Sequence, residues 1–256
     1  MELECIKYAQ GDEIAIITLN RPDRLNATSR RLWDDLRATL DKAVADPATK
    51  VLIMTGEGRA FSAGADLKES KTRSKAEYRD YLVKVQATSK QLLHLSKPTI
   101  AAINGYALGS GCELALACDV RIAAEEAQLG FPEAKVTSSV TGAGLSLIQD
   151  LVGPAKAREL LFTGEFVDGK EAERIGLVNK AVPLATLMRA AGEMAHQMAN
   201  NSPFSITTIK KGLQAAKSGM SLEQLMEYEI EACLACVSTK EREEALRAFE
   251  DRKQPE

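Results

Sequence analysis

The chain has 256 residues, 45% of them hydrophobic and 27% charged, a balance that excludes a disordered or fibrous polypeptide. Thirty-three Lys and Arg against 36 Asp and Glu leave a net charge of −3, which excludes a general polyanion-binding surface but leaves room for a local basic pocket. No apolar run reaches the roughly 20 residues that span a bilayer, so no membrane partner is expected.

The first twenty residues, MELECIKYAQGDEIAIITLN, carry acids and turn into an alternating strand pattern with no basic start and no Arg-rich amphipathic run; no targeting segment is expected. Five cysteines, an odd number spread over the chain, suit a reducing compartment, so the expected setting is cytoplasmic, or the mitochondrial matrix if a presequence has been removed. Residues 13–19 read as a buried strand, closed by the turn-like Asn20-Arg21-Pro22-Asp23. A helix follows from Ser29 to Ala45, with Leu32, Leu36, Leu40 and Val44 four apart on one face, and Asp46-Pro47 ends it. Residues 51–54 form a second strand. A polar, Lys-rich loop covers 68–75, and a helix then runs to about Leu95 before Lys97-Pro98. Strands at 99–103 and 119–124 flank a Gly-rich turn and a short helix over 111–117. Strands alternating with helices predict parallel pairing through right-handed crossovers. Beyond 142 the pattern is almost wholly helical, with Ser202-Pro203 and the capping box at Ser221 starting two late helices. The plain reading is an α/β core over 1–195 and a helical C-terminal region over 196–256.

Common chemical motifs fail. Gly109-Ser110-Gly111 lies between a strand and a helix, but Leu114 stands where a dinucleotide fingerprint needs its third glycine. His94 and His196 lie far apart without metal spacing, and Cys233 and Cys236 fall in mid-helix, where Cys233 continues the stripe Met226, Ile230, Val237 as a buried small hydrophobe. No metal is expected. The Lys and Arg residues at 68, 71, 73, 75, 79 and 84 read as a solvated helix face, so a nucleic-acid partner is not expected.

Three stretches remain: GRAFSAGADLKE at 58–69, PTIAAINGYALGSGCELALACDV at 98–120 and AQLGFPEAKVTSSVTGAGLSLI at 127–148. The glycines allow close backbone approach to a ligand, and a helix beginning near Gly111 offers unpaired N–H groups to a developing oxyanion. Glu113 in that first turn and Glu133 directly after Pro132 read either as helix-start acids or as acid–base groups.

Together with LNRPDRLNAT at 19–28, LLFTGEFVDGKEAERIGLVNKAVP at 160–183 and EALRAFEDRK at 244–253, these stretches resemble the crotonase superfamily, the enoyl-CoA hydratase/isomerase family, over essentially the whole chain. The resemblance implies an α/β fold with a crotonase-like ββα spiral core and a helical C-terminal extension, assembled as a homotrimer or hexamer. It implies an acyl-CoA substrate, with coenzyme A entering as part of that substrate and no separate cofactor. The thioester carbonyl is expected on the backbone amides of Ala65 and Ser110. Contacts to the CoA moiety are expected from Arg24, Leu25, Ala27, Ala63, Asp66 and Leu67, and from Phe249 and Lys253 of the C-terminal region. Glu113 is expected to activate water for attack at Cβ and Glu133 to protonate Cα; both being present points to an enoyl-CoA hydratase, a lyase of fatty acid metabolism. Isomerisation, dehydration or hydrolysis of an unusual acyl group is the alternative. Two departures bear on this choice. Ser110 stands where the family usually has glycine, and Val140-Thr141 replaces the usual Pro-Gly, bringing Thr141 beside the reacting carbons.

Overall fold

The computed structural model describes residues 3–251, which form two compact units that part between Met198 and Ala199. Among the described residues the first unit holds ten strands: β1 (Ile6–Gln10), β2 (Ile14–Leu19), β3 (Val51–Gly56), β4 (Ala60–Ser62), β5 (Thr99–Ile103), β6 (Tyr106–Leu108), β7 (Val120–Ala124), β8 (Gln128–Gly130), β9 (Phe166–Asp168) and β10 (Lys180–Val182). Its helices are α1 (Arg30–Ala45), α2 (Leu67–Ser70), α3 (Lys75–Leu93), α4 (Ser110–Leu116), α5 (Gly144–Thr163) and α6 (Gly169–Arg174), and α7 (Leu187–Ala199) runs to the boundary.

Six strands make one sheet in the order β1-β2-β3-β5-β7-β10. Its central strands β3 and β5 are buried along their whole length, the expected place for continuous apolar runs in a sheet covered on both faces. The second sheet has the order β4-β6-β8-β9, in which β4, β6 and β8 run parallel and β9 joins antiparallel at the edge. The pairs β3/β4, β5/β6 and β7/β8 each give one strand to each sheet, and helix follows each pair. This repeat is the ββα spiral that the sequence resemblance implies.

The structure departs from the sequence reading in local places. Pairing is not parallel throughout, because β1 and β2 are joined by three residues, with Gly11 N–H donating to the Ile14 carbonyl, and so short a link permits only an antiparallel pair. Ser29 lies just outside α1 as its N-cap, accepting from Leu32 N–H at 3.1 Å, and Leu32, Leu36 and Leu40 are buried. Val44 is 39% exposed. A spacing of four overshoots the helical repeat by about 40° at each step, so the fourth residue has turned off the buried face and Ala43 takes its place. The polar segment 68–75 holds most of α2, capped by Asp66, before Ser74 and Glu77 form the capping box of α3. The short strands β9 and β10 interrupt the helical region after 142; three residues are too few to show a period.

The second unit contains α8 (Pro203–Lys217), α9 (Leu222–Val237) and α10 (Lys240–Asp251), with Ser202 and Ser221 as the expected N-caps. Cys233 is exposed, not a buried small hydrophobe. Helix α9 meets α8 through Tyr228, whose hydroxyl donates to the Thr208 carbonyl at 2.7 Å, and turns Met226, Ile230 and Val237 outward. No helix among the described residues is long and apolar enough to cross a membrane.

Candidate active site

The three Gly-rich stretches leave the C-terminal ends of three neighbouring parallel strands: Ala63 to Asp66 follows β4, Gly109 to Glu113 follows β6, and Pro132-Glu133 follows β8. Parallel pairing delivers all three to one edge of the small sheet, where they share a cleft of about 430 Å³ with Thr141. Helix α3 supplies another wall through Tyr78, Tyr81, Leu82 and Val85.

The first two stretches touch. Gly64 has φ +89°, and a Cβ built on it would lie 2.5 Å from the Leu108 carbonyl oxygen and 3.6 Å from the Ser110 nitrogen. Ser110 opens α4, so its N–H has no carbonyl one turn back and points its partial positive charge outward. Its φ lies outside the left-handed region, and a side chain is accommodated where the family usually has glycine. In the other stretch Gly64 N–H donates to Ser62 Oγ at 3.3 Å and Asp66 N–H to the Thr28 carbonyl at 3.2 Å. Ala65 N–H, between them, has no acceptor among the described residues. Ala65 and Ser110 thus bring two uncommitted amides to one cleft.

Glu113 is 1% exposed, and Thr141 holds both of its oxygens: the Thr141 N–H donates to Oε1 at 2.7 Å and the hydroxyl to Oε2 at 2.6 Å. Burial pushes the Glu113 carboxyl up to about 7, against the pull of the two Thr141 bonds, and the neighbouring charge of Glu133 adds to the rise. Burial also pushes Glu133 up, opposed only by its own backbone N–H, and Glu133 Oε2 is buried without a partner. Gly109, at φ +52° and ψ −125°, leaves the space Glu133 occupies; a Cβ there would come within 2.7 Å of Oε1. No Lys, Arg or His among the described residues lines the cleft. Lacking a counter-ion, the two carboxyls are distinguished by hydrogen bonding: two Thr141 donors support charge on Glu113, and none reaches Oε2 of Glu133.

Ala63 and Leu67 line the cleft as expected for ligand contacts. Thr141 lines it too, but both of its polar groups are spent on Glu113 rather than offered to a substrate. Asp66 is spent on the scaffold. Burial works against its charge, but Arg21 at 3.0 Å and the amides of Lys68 and Glu69 outweigh it and hold the carboxyl below its usual range. Leu25 gives its carbonyl to Ala63 N–H at 2.9 Å, Ala27 gives its own to Arg21, and Arg24 is exposed beside Asp23. Phe249 falls in α10, its side chain not among the parts described, and Lys253 lies outside the described residues.

Sequence reasoning missed three residues that organise this edge. Asn26 is fully buried at φ +55°; its amide donates to the carbonyls of Glu57 and Ala60 and its oxygen accepts from Arg21 N–H. An asparagine in a turn, able to adopt the left-handed conformation, was the available signal. Thr28 and Tyr81, joined by their hydroxyls at 3.1 Å, gave none, because their partners are remote in sequence.

The model of the enoyl-CoA hydratase/isomerase family matches residues 9–256. The chain is 35% identical to a short-chain-enoyl-CoA hydratase of Clostridium acetobutylicum, over 100% of this chain and 98% of that protein. It is 34% identical to a crotonyl-CoA hydratase of Syntrophomonas wolfei, over 97% and 96%. The crystal structure of an enoyl-CoA hydratase from Bacillus anthracis superimposes with a TM-score of 0.94 at 34% identity, covering 99% of this chain and 98% of that one. With the spiral fold, the paired amides and the two glutamates of the cleft in place, the match along the length of the chain makes it a member of the enoyl-CoA hydratase/isomerase family.

Proposed function

We propose that the protein adds water across the double bond of a 2-enoyl-CoA to give the 3-hydroxyacyl-CoA. The observation that carries this reading is a buried Glu113 and a half-buried Glu133 with opposite hydrogen-bond provision, lining the same cleft as two uncommitted amides. Ionised Glu113 takes a proton from water as the oxygen bonds to Cβ. The π electrons move toward the thioester, and the oxygen that gains charge sits on Ala65 N–H and Ser110 N–H. Protonated Glu133 then delivers its proton to Cα, and exchange with solvent resets the pair. Each amide donor at such a developing charge is worth about 3–4 kcal/mol of barrier. Coenzyme A enters with the substrate, in a homotrimeric or hexameric, cytoplasmic enzyme.

The test is incubation with a panel of 2-enoyl-CoAs in ¹⁸O-water. The expected product carries ¹⁸O at C3, and Glu133→Gln lowers its rate by about 10² or more with acyl-CoA binding retained. Folded protein that hydrates no member of the panel, or that only moves the double bond without taking up ¹⁸O, overturns the reading.

Thr141 sets the pH range of this chemistry. Because Glu113 acts ionised, kcat/KM falls as the pH drops below about 7. Thr141→Val removes the hydroxyl bond to the carboxylate and keeps the main-chain one. A hydrogen bond to a charged group is worth about 1.5–3 kcal/mol, so the acid limb moves up by about one to two pH units. Thr141→Ser returns it. An unmoved limb in Thr141→Val removes this role.

A further inference from the structure

We propose that Thr28 is the positioning residue that fixes the separation of the two amides, Ala65 N–H and Ser110 N–H; the proposal rests on the reading of those amides as the thioester-oxygen site. Thr28 is fully buried and lies outside the cleft lining, so it acts only through its neighbours. Its main chain brackets Ala65: Thr28 N–H donates to the Gly64 carbonyl at 2.8 Å, and its carbonyl accepts from Asp66 N–H at 3.2 Å. Its side chain reaches the other stretch, with Oγ1 2.8 Å from Ser110 Oγ. One residue therefore touches both amide-bearing segments, the first through peptide groups and the second through a hydroxyl.

The hydroxyl has a defined direction. Tyr81 OH lies 3.0 Å from the Thr28 carbonyl, which can only accept, so the phenol proton goes there. The indole N–H of Trp33, a donor only, points at the same phenol oxygen from 3.2 Å. At 3.1 Å, Thr28 Oγ1 must then donate to Tyr81, and Ser110 Oγ must donate to Thr28. The chain of protons runs from Ser110 to Thr28 to Tyr81 to the Thr28 carbonyl, and every member is at most 8% exposed. Two consequences follow. The hydroxyl proton of Ser110 is used internally, so Ser110 serves the cleft through its main-chain N–H alone. The first turn of α4 is tied through its side chain to the residue that brackets Ala65, which makes the amide separation a property of Thr28.

The experiment compares wild type with Thr28→Val, Thr28→Ser, Ser110→Ala and the double variant Thr28→Val/Ser110→Ala. Thr28→Val keeps the shape and both main-chain bonds and removes the hydroxyl link. Ser110→Ala breaks the same link from its other end, so the outcome does not hang on the folding of one variant. The first readout is the infrared carbonyl stretch of bound butyryl-CoA labelled with ¹³C at the thioester carbon; the second is kcat and KM for crotonyl-CoA. In wild type the stretch is expected to fall below its solution position. Each single variant is expected to lose at least half of that fall and about tenfold in kcat, with KM within about threefold. Thr28→Ser restores both, and the double variant is no worse than either single one. A wild-type stretch left at its solution position refutes the two-amide reading, and the proposal falls with it. A wild-type fall that both single variants keep, or losses that multiply in the double variant, overturns the role of Thr28 alone and leaves the site standing.

Discussion

Replacing Glu113 by Gln lowers the rate of water addition by about 10²–10⁴ and at the same time stabilises the folded protein at alkaline pH. The loss follows from chemistry: an amide cannot take a proton from water, and general acid–base catalysis by a placed carboxylate supplies about 10²–10⁴ in rate. The gain follows from linkage. Glu113 holds its proton up to about pH 7 in the folded chain and only to the ordinary 4.5 when unfolded. Between those values the native state binds more protons, so stability declines as the pH rises through that window, and the whole penalty is present above 7. At 1.36 kcal/mol per pH unit the ceiling is about 3 kcal/mol. Gln keeps one acceptor for the two donors of Thr141, and the mismatch at the second reduces the gain to about 1–2 kcal/mol. Urea unfolding at pH 5 and pH 8 checks this: the lead of Glu113→Gln over wild type grows between the two, while binding of butyryl-CoA is retained. Hydration at the wild-type rate, or a stability difference that ignores pH, refutes the assignment of Glu113 as the base.

The same residues show what was legible in the sequence. Glu113 was visible because it follows Gly109-Ser110-Gly111 and Glu133 because it follows Pro132, yet alone each could be a helix-start acid. What brings them together is the small sheet, whose strands β4, β6 and β8 are three residues long and carry no readable period. Only the family resemblance, not hydrophobic patterning, linked those stretches. The large sheet was easier, since VLIM and TIAAI are apolar runs bounded by turn residues. Thr141 stood out as a departure from the family pattern, and it lines the cleft with its N–H and hydroxyl on Glu113. That bond was not legible, because whether a hydroxyl meets substrate or a carboxylate depends on side-chain direction. Thr28 lies deeper still: Ser110, Tyr81 and the Gly64–Asp66 bracket reach it through tertiary contacts alone.

Gly64→Ala separates the effect of amide geometry from that of backbone strain. At φ +89° an alanine costs about 1–2 kcal/mol wherever it is placed. At Gly64 the new methyl also meets the Leu108 carbonyl at 2.5 Å. That carbonyl ends β6 and leads directly into Gly109 and Ser110, so it cannot retreat without carrying the second amide with it. The two donors move apart, and the expected loss is about 10²–10³ in kcat, as when one oxyanion donor is removed. Gly219 supplies the control: it has the same φ of +89°, with nothing within 4 Å of its Cβ position. Gly219→Ala is expected to show the strain penalty in thermal unfolding and wild-type kcat, whereas Gly64→Ala shows the penalty and the catalytic loss together. Equal kcat in the two variants means that the close packing of these segments does not govern the thioester oxygen, and the paired amides then lose their assigned work.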